Sequence, residues 1–326
     1  MCELTVIIPT WNQKELLARC LRSLRGQTVP CRVLVVDNGS SDSTLGLLEE
    51  LRLDFSGRLE WIGLPANRGF AAAVNQGIRG SRTEFIGLLN NDAEADSRWV
   101  ETGLNALRDR RDYSFFASRL VQYHNREILD GAGDGYNRTG IPFKRGWGER
   151  AESFRISGPV LGASGAAAFY RRRLFDEVGL FDETFFMYLE DVDLSLRAQL
   201  LGHRCLYLPE AVVHHIEAAS DPLRRQSAAA ENAVTLALFS SPDRVYWITR
   251  NRWQLMVTYQ PARHFPWLLY GWARSAGHGL LKAGYFSSFL SGLLAGVLLT
   301  PRALKKRLAL RRKRKVPLME IYRLRS

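Results

Sequence analysis

The chain has 326 residues, 46% of them hydrophobic and 24% charged, enough to bury one large core with a smaller appendage. Its formal net charge is +12, but nine basic residues and no acidic one lie between Arg302 and Lys315, so the rest of the chain carries only +3. No aromatic stacking pattern accompanies that run, which argues against a nucleic-acid binder and leaves a solvated arm or an anionic-lipid contact.

Taken in order, the chain opens on a strand-like run, Leu4 to Ile8, with no basic-then-apolar leader before it, and a cytoplasmic catalytic part is expected. Leu16, Leu17, Cys20, Leu21 and Leu24 then share one helical face. Strands follow at Arg32 to Val36, Leu59 to Ile62 and Phe85 to Leu89, with helices starting near Ser43 and Phe70. This alternation predicts repeated βαβ units, an α/β fold with a Rossmann-like, mostly parallel sheet and flanking helices. In such sheets ligands sit at the carboxyl edge of the strands.

From about Asp112 to Arg155 the pattern breaks into Gly-, Tyr- and Arg-rich sequence, expected to be irregular loops that cover a site or are mobile. Regular structure resumes with Gly162 to Tyr170, helices over Arg172 to Val178 and Asp191 to Leu201, and a strand at Arg204 to Leu208. The four cysteines show no C-x-x-C spacing, so neither a disulfide framework nor structural zinc is expected. A shift to Trp, Leu, Gly and Arg beyond Ser220 places a boundary there, with residues 1–220 catalytic and 221–326 a helical, membrane-associating region. Ala283 to Pro301 is uncharged, but its Gly and Ser content suits helices lying in a headgroup interface better than a span. A helical subdomain packed on the core, with a solvated tail, is the alternative.

The first strand ends in Pro9, Thr10, Trp11 and Asn12, and the second in Asp37, followed by Asn38 to Ser43. A base can stack on Trp11 while the Asp37 carboxylate accepts a ring N–H; Ser43 by itself is explained as a helix N-cap. Asn67, Arg68 and Gly69 precede a helix carrying Asn75, and there Gly69 allows close backbone approach to an anion while Arg68 offsets phosphate charge. The fourth strand delivers Asn90, Asn91 and Asp92, and an oxygen ligand beside a diphosphate is how Mg²⁺ or Mn²⁺ is usually held. Glu190, Asp191 and Asp193 follow the apolar run Phe185 to Leu189 and open a helix, which suits a base poised to deprotonate an acceptor hydroxyl. His214 and His215, expected after a strand, are candidate metal ligands.

Together these stretches resemble the family 2 inverting glycosyltransferases of GT-A fold, in the rhamnosyltransferase-like branch, from Thr5 to about Ser220. The resemblance rests on Val6 to Asn12, Val35 to Asp42, Asn67 to Phe70 with Asn75, Leu89 to Asp92, Gly162–Ala163, Gly179 to Glu183 and Phe186 to Asp193. It implies that Pro9, Thr10, Trp11, Asn12, Asp37, Asn67, Arg68, Gly69, Asn75 and Asn91 hold the nucleotide sugar, and that Gly162 and Ala163 meet the acceptor. It implies that Asp92 and His215 bind Mg²⁺ or Mn²⁺, and that Asp191, with Glu190 beside it, is the general base. The chain departs from the family's D-x-D motif in having Asn90 at its first position, and it carries Gln13 where Glu is frequent. The implied partners are a nucleoside-diphosphate sugar, with rhamnose first, a saccharide or lipid-linked acceptor and an anionic membrane surface at the cytoplasmic face. Nucleic acid is not among them. A nucleotidyltransferase would be expected to carry a Gly- and Arg/Lys-rich phosphate loop after the first strand, and Pro9 to Asn12 is not one. A non-catalytic nucleotide-sugar-binding membrane protein would have no need of Asp92 and Asp191.

Overall fold

The computed structural model describes residues 2–137, 140–216, 241–264, 266 and 285–324. Its first half follows the alternation of the sequence: β1 (Leu4–Thr10), α1 (Lys14–Arg25), β2 (Arg32–Asp37), α2 (Thr44–Leu51), β3 (Leu59–Gly63), α3 (Phe70–Gly80), β4 (Phe85–Leu89), β5 (Ala93–Ala95) and α4 (Trp99–Asp109). The apolar strands β1 and β4 are buried along their whole length, as strands covered by helices on both faces must be. Helix α3 lies so close to β1 that a Cβ on Gly77 would overlap the Ile7 side chain.

The second half comprises β6 (Phe115–Gln122), β7 (Leu129–Gly131), β8 (Asp134–Tyr136), β9 (Pro142–Lys144), β10 (Gly158–Val160), β11 (Ala167–Arg171), α5 (Arg172–Val178), α6 (Glu190–Leu200) and β12 (Cys205–His215). The main sheet runs β10-β12-β6-β11-β4-β1-β2-β3, with β5 on β12 and β7 on β6. Strands β4, β1, β2 and β3 are mutually parallel. Beyond β4 the sheet is mixed rather than mostly parallel, because β11 runs antiparallel to both β4 and β6. The chain leaves β6 at the carboxyl edge and re-enters β11 from that same edge, which reverses its direction.

Three other expectations need correction. The stretch from Asp112 to Arg155 contains the buried strand β6, whose alternation is interrupted by Ser118 and Arg119. Both find partners inside the fold: Trp99 Nε1 donates to Ser118 Oγ at 2.9 Å, and Arg119 Nη2 donates to the Ala151 carbonyl at 2.8 Å. Strand β12 does not end at Leu208 but runs through a register shift between Leu208 and Val212. Pro209, which has no N–H to donate, falls inside that irregularity, so His214 and His215 lie within the strand. The segment from Gly162 becomes a strand only at Ala167.

Four further helices follow: α7 (Pro242–Tyr259), α8 (Tyr285–Leu298), α9 (Thr300–Lys313) and α10 (Leu318–Ile321). Ser241 caps α7 by accepting from the Arg244 N–H at 3.2 Å, and Pro242 stands at the first turn where its missing N–H costs nothing. Leu255, Tyr259, Leu318 and Ile321 share one core cluster with Val192, Leu196 and Leu200 of α6. The C-terminal helices are therefore packed on the element that carries Asp191. Glycines 292 and 296 turn toward α7, and Phe286, Leu290, Leu294 and Leu298 form an exposed apolar stripe on α8.

The basic run is helical and partly docked, not a free arm. Lys306 donates to Asp182 at 2.8 Å and to Asp193 at 2.6 Å, and Arg307 donates to the Val257 and Gln260 carbonyls at 2.9 and 2.6 Å. Among the described residues no single helix is long and apolar enough to cross a membrane; α8 and α9 together have the length and composition but bend by 53°. The boundary expected near Ser220, the aromatic residues Trp267, Tyr270 and Trp272, and Ala283 and Gly284 lie outside the described residues.

Candidate active site

The ends of β1 and β2 and the start of α3 form one crevice. Trp11 is 49% exposed at its mouth, beyond Pro9 and Thr10 at the end of β1. Asn12 adopts the left-handed conformation at φ 51° and braces the next loop, donating from its N–H to Ser40 Oγ at 2.9 Å and accepting from the Ser41 N–H at 2.7 Å. Asp37 is buried and accepts from the Ser40 N–H at 3.2 Å. Ser43 makes no side-chain cap; it stands at φ 62°, and Asp42 instead accepts from Thr44 Oγ1 at 2.6 Å.

Asn38 organises the wall between β2 and α3. Its amide donates to Asn67 Oδ1 at 3.0 Å and to the Gly69 carbonyl at 3.2 Å, and its oxygen accepts from the Arg68 N–H at 2.9 Å. Gly69 has φ +86°, and a Cβ there would overlap the Phe186 carbonyl oxygen and ring. Arg68 is exposed beside it. Asn91 joins the β4 turn to β1 by donating to Thr10 Oγ1 and Gln13 Oε1, both at 3.0 Å. Asn75 does not line this crevice. It is 1% exposed, and its amide is used up on the Phe181 backbone and on Glu183, at 2.9 to 3.0 Å.

Asp92, just after β4, meets His215 of β12: Oδ1 and Nε2 are 3.3 Å apart. The other ring nitrogen, Nδ1, lies 2.8 Å from Asp130 Oδ2. Burial alone would lower the imidazole's pKa, but Asp92 and Asp130 outweigh it and push it up to about 10. His214 points to the opposite side of the strand, as alternation requires, and its pKa is lowered by burial and Arg126. Two ligands cis on a small divalent cation, each about 2.1 Å from it, lie about 3 Å apart, so the Asp92–His215 spacing fits such an ion. Among the described residues no group of three or more His, Cys, Asp or Glu is arranged to hold a metal. A two-residue site is what Mg²⁺ or Mn²⁺ uses when substrate phosphates complete its shell.

Asp191 opens α6. Its Oδ2 accepts from the Gly165 N–H at 2.9 Å and its Oδ1 from the Val192 N–H at 2.8 Å. Burial raises its pKa despite those two donors. Glu190 is only 5% exposed; burial and then the Asp191 charge hold its pKa well up. Asp193 is structural, bonded to Arg197 at 2.9 Å, Tyr259 at 2.7 Å and Lys306. Gly162 and Ala163 are also removed from contact with an acceptor: Ala163 is fully buried in the core, and the Gly162 carbonyl accepts from the Asp134 N–H at 2.9 Å. That bond positions Asp134, a buried acid whose Oδ2 has no hydrogen-bond partner among the described residues and whose pKa is raised by burial and by Asp191.

The loop before α6 is strained. Phe186, Tyr188 and Leu189 all have positive φ, at 61°, 67° and 69°, which costs on the order of 1 kcal/mol each. Asn251 of α7, fully buried, holds it by donating from Nδ2 to the Phe185, Met187 and Tyr188 carbonyls at 2.8, 2.8 and 2.9 Å. Asn38 lies in a motif that the sequence singles out but is given no role there; Asp130, Asp134, Lys144 and Asn251 are given none either, and the local signal was the pair of acids, Asp130 and Asp134, in a Gly-rich stretch.

Residues 5–179 match the model of Glycosyl transferase family 2, and residues 137–303 that of Glycosyl transferase family group 2. The pre-mycofactocin glycosyltransferase of Mycobacterium tuberculosis is 30% identical over 65% of this chain; the chain spans only 42% of that relative's length. The N-acetylglucosaminyl-diphospho-decaprenol L-rhamnosyltransferase of the same organism is 29% identical over 77% of this chain and 89% of its own. The fold is shared with the mannosyltransferase PcManGT from Pyrobaculum calidifontis, solved in complex with GDP-Man and Mn²⁺, at a TM-score of 0.53 and 15% identity over 92% of this chain and 87% of that one. With its mixed α/β sheet of GT-A type and a family model covering more than half its length, the chain belongs to glycosyl transferase family 2.

Proposed function

We propose that the chain transfers a sugar from a nucleoside-diphosphate sugar to a hydroxyl of a saccharide or lipid-linked acceptor, in one displacement that inverts the anomeric centre. The observation that carries this reading is the Asp191 carboxylate, fixed by two backbone N–H groups at the start of α6. Its remaining lone pairs accept the acceptor's proton, and its raised pKa makes it a stronger base than an exposed carboxylate. Trp11 stacks on the base and Asp37 accepts its ring N–H. The N-terminus of α3 and Arg68 face the diphosphate. Asp92 and His215 would hold Mg²⁺ or Mn²⁺, which would offset charge on the departing diphosphate.

Rhamnose is our choice of sugar, supported by the rhamnosyltransferase relative, whose printed name also gives a diphospho-decaprenol acceptor. Residues 1–220 act as the catalytic part and 221–326 as an interfacial region at the cytoplasmic face of a membrane. The exposed apolar stripe of α8 and the exposed Lys305, Arg311 and Arg312 of α9 support this placement. A panel of nucleoside-diphosphate sugars, assayed for diphosphate release with and without Mn²⁺, tests the reading. Release that survives unchanged in Asp191→Asn would exclude Asp191 as the base.

A further inference from the structure

We propose that Asp130, held by Lys144, is a positioning residue that aims His215 Nε2 at Asp92; the proposal rests on the metal reading of that pair. Asp130 lies on β7 and Lys144 on β9, in the stretch that the sequence leaves as irregular loop. The register joins β7 to β6 and β6 to β12, which brings Asp130 beneath the end of β12. There Asp130 is wholly buried, with Oδ2 at 2.8 Å from His215 Nδ1. Lys144 Nζ sits 3.0 and 3.1 Å from its two carboxylate oxygens.

A neutral imidazole has one N–H, and the carboxylate fixes it at Nδ1, because Asp130 accepts and cannot donate. Nε2 faces Asp92 Oδ1, 3.3 Å away, so a cation that takes the place of the Nε2 proton meets a lone pair already aimed at it, and the ring is preset as a ligand. Carboxylates behind metal-bound histidines perform this service generally, and losing one typically weakens metal binding 10- to 100-fold. Lys144 has the complementary task. A buried carboxylate is held in place by a partner cation, and this ammonium, with its side chain 29% exposed, reaches in from the surface to do so.

The test measures Mn²⁺ binding to the full chain by electron paramagnetic resonance of the free ion, with no sugar nucleotide present. Asp130→Asn should weaken Mn²⁺ at least about tenfold, Lys144→Met by less, and His215→Ala shows the loss when the imidazole itself is gone. If His215→Ala binds Mn²⁺ like wild type, the metal reading itself fails. If His215→Ala loses the ion while folded Asp130→Asn matches wild type, the positioning role alone is overturned. Should Asp130→Asn not fold, ¹⁵N shifts of His215 in the wild-type chain with Mg²⁺, assigned by their absence in His215→Ala, decide the matter. A proton on Nδ1 is expected, and a bare Nδ1 overturns the proposal.

Discussion

Replacing Asn251 by alanine should damage both stability and turnover, although the residue lies 60 positions beyond Asp191 in the chain. The two N–H groups of its fully buried amide are shared among three carbonyls of the 185–188 loop at 2.8 to 2.9 Å. Leaving a buried acceptor unmatched costs roughly 1 kcal/mol or more, and two donors are lost, so the sum is about 2 to 3 kcal/mol. Relaxation of the loop returns part of this, since Phe186, Tyr188 and Leu189 can leave their left-handed conformations. The net expectation is a loss of about 2 kcal/mol in urea unfolding. A relaxed loop also shifts the start of α6, so the rate constant for diphosphate release should fall further than donor binding does. Asn251→Asp should be worse, because a carboxylate would confront three carbonyl oxygens. An Asn251→Ala protein within about 0.5 kcal/mol of wild type, with normal turnover, would refute the argument.

Lys306→Ala should destabilise the chain by roughly 2 to 3 kcal/mol, since it leaves Asp182 and Asp193 without that cation, while Arg197 still serves Asp193. Burial works against it, but Lys306 holds the Asp182 carboxyl well below its ordinary range. A depressed folded pKa contributes stability that is present above the unfolded value, near 3.9, and lost as pH falls through the folded one. The Lys306→Ala deficit should therefore be full above about pH 4 and shrink in more acid solution, as followed by circular dichroism. Asp92→Ala should weaken Mn²⁺ more than His215→Ala does, and His214→Ala should leave it unchanged, measured by calorimetry. Gly69→Ala should raise KM for the sugar nucleotide, because the new methyl displaces Phe186 at the start of α3; an unaltered KM would contradict the crowding there. Changing Leu290, Leu294 and Leu298 together to Ser should reduce sedimentation with anionic liposomes without shifting the unfolding curve, given their exposure.

Strands β1, β2 and β4 were legible because each is a buried, almost unbroken apolar run, and α1 because it carries a one-sided apolar stripe. β6 was not, because Ser118 and Arg119 break its pattern and find their partners in α4 and near Ala151, which sequence order does not reveal. Asp92 and Asp191 were legible as acids where a strand ends and a helix begins. Asn75 and Ala163 were misassigned because a motif gives no exposure, and both turn out to be packed inside. Asp130 and Asn251 were out of reach for another reason: their partners lie 85 and 63 to 66 residues away, so only the closed fold creates their roles.

The contact of α8 with α7 through Gly292 and Gly296 has a mechanical consequence. Small residues let the two helices sit backbone to backbone, with little side-chain padding to absorb a displacement. From the outer stripe of α8 the contacts run without a break through α7, Asn251 and the 185–189 loop to Asp191. α7, at 18 residues, is a strut of about 27 Å. A push on the outer stripe of α8 is therefore passed on to the start of α6 rather than absorbed on the way.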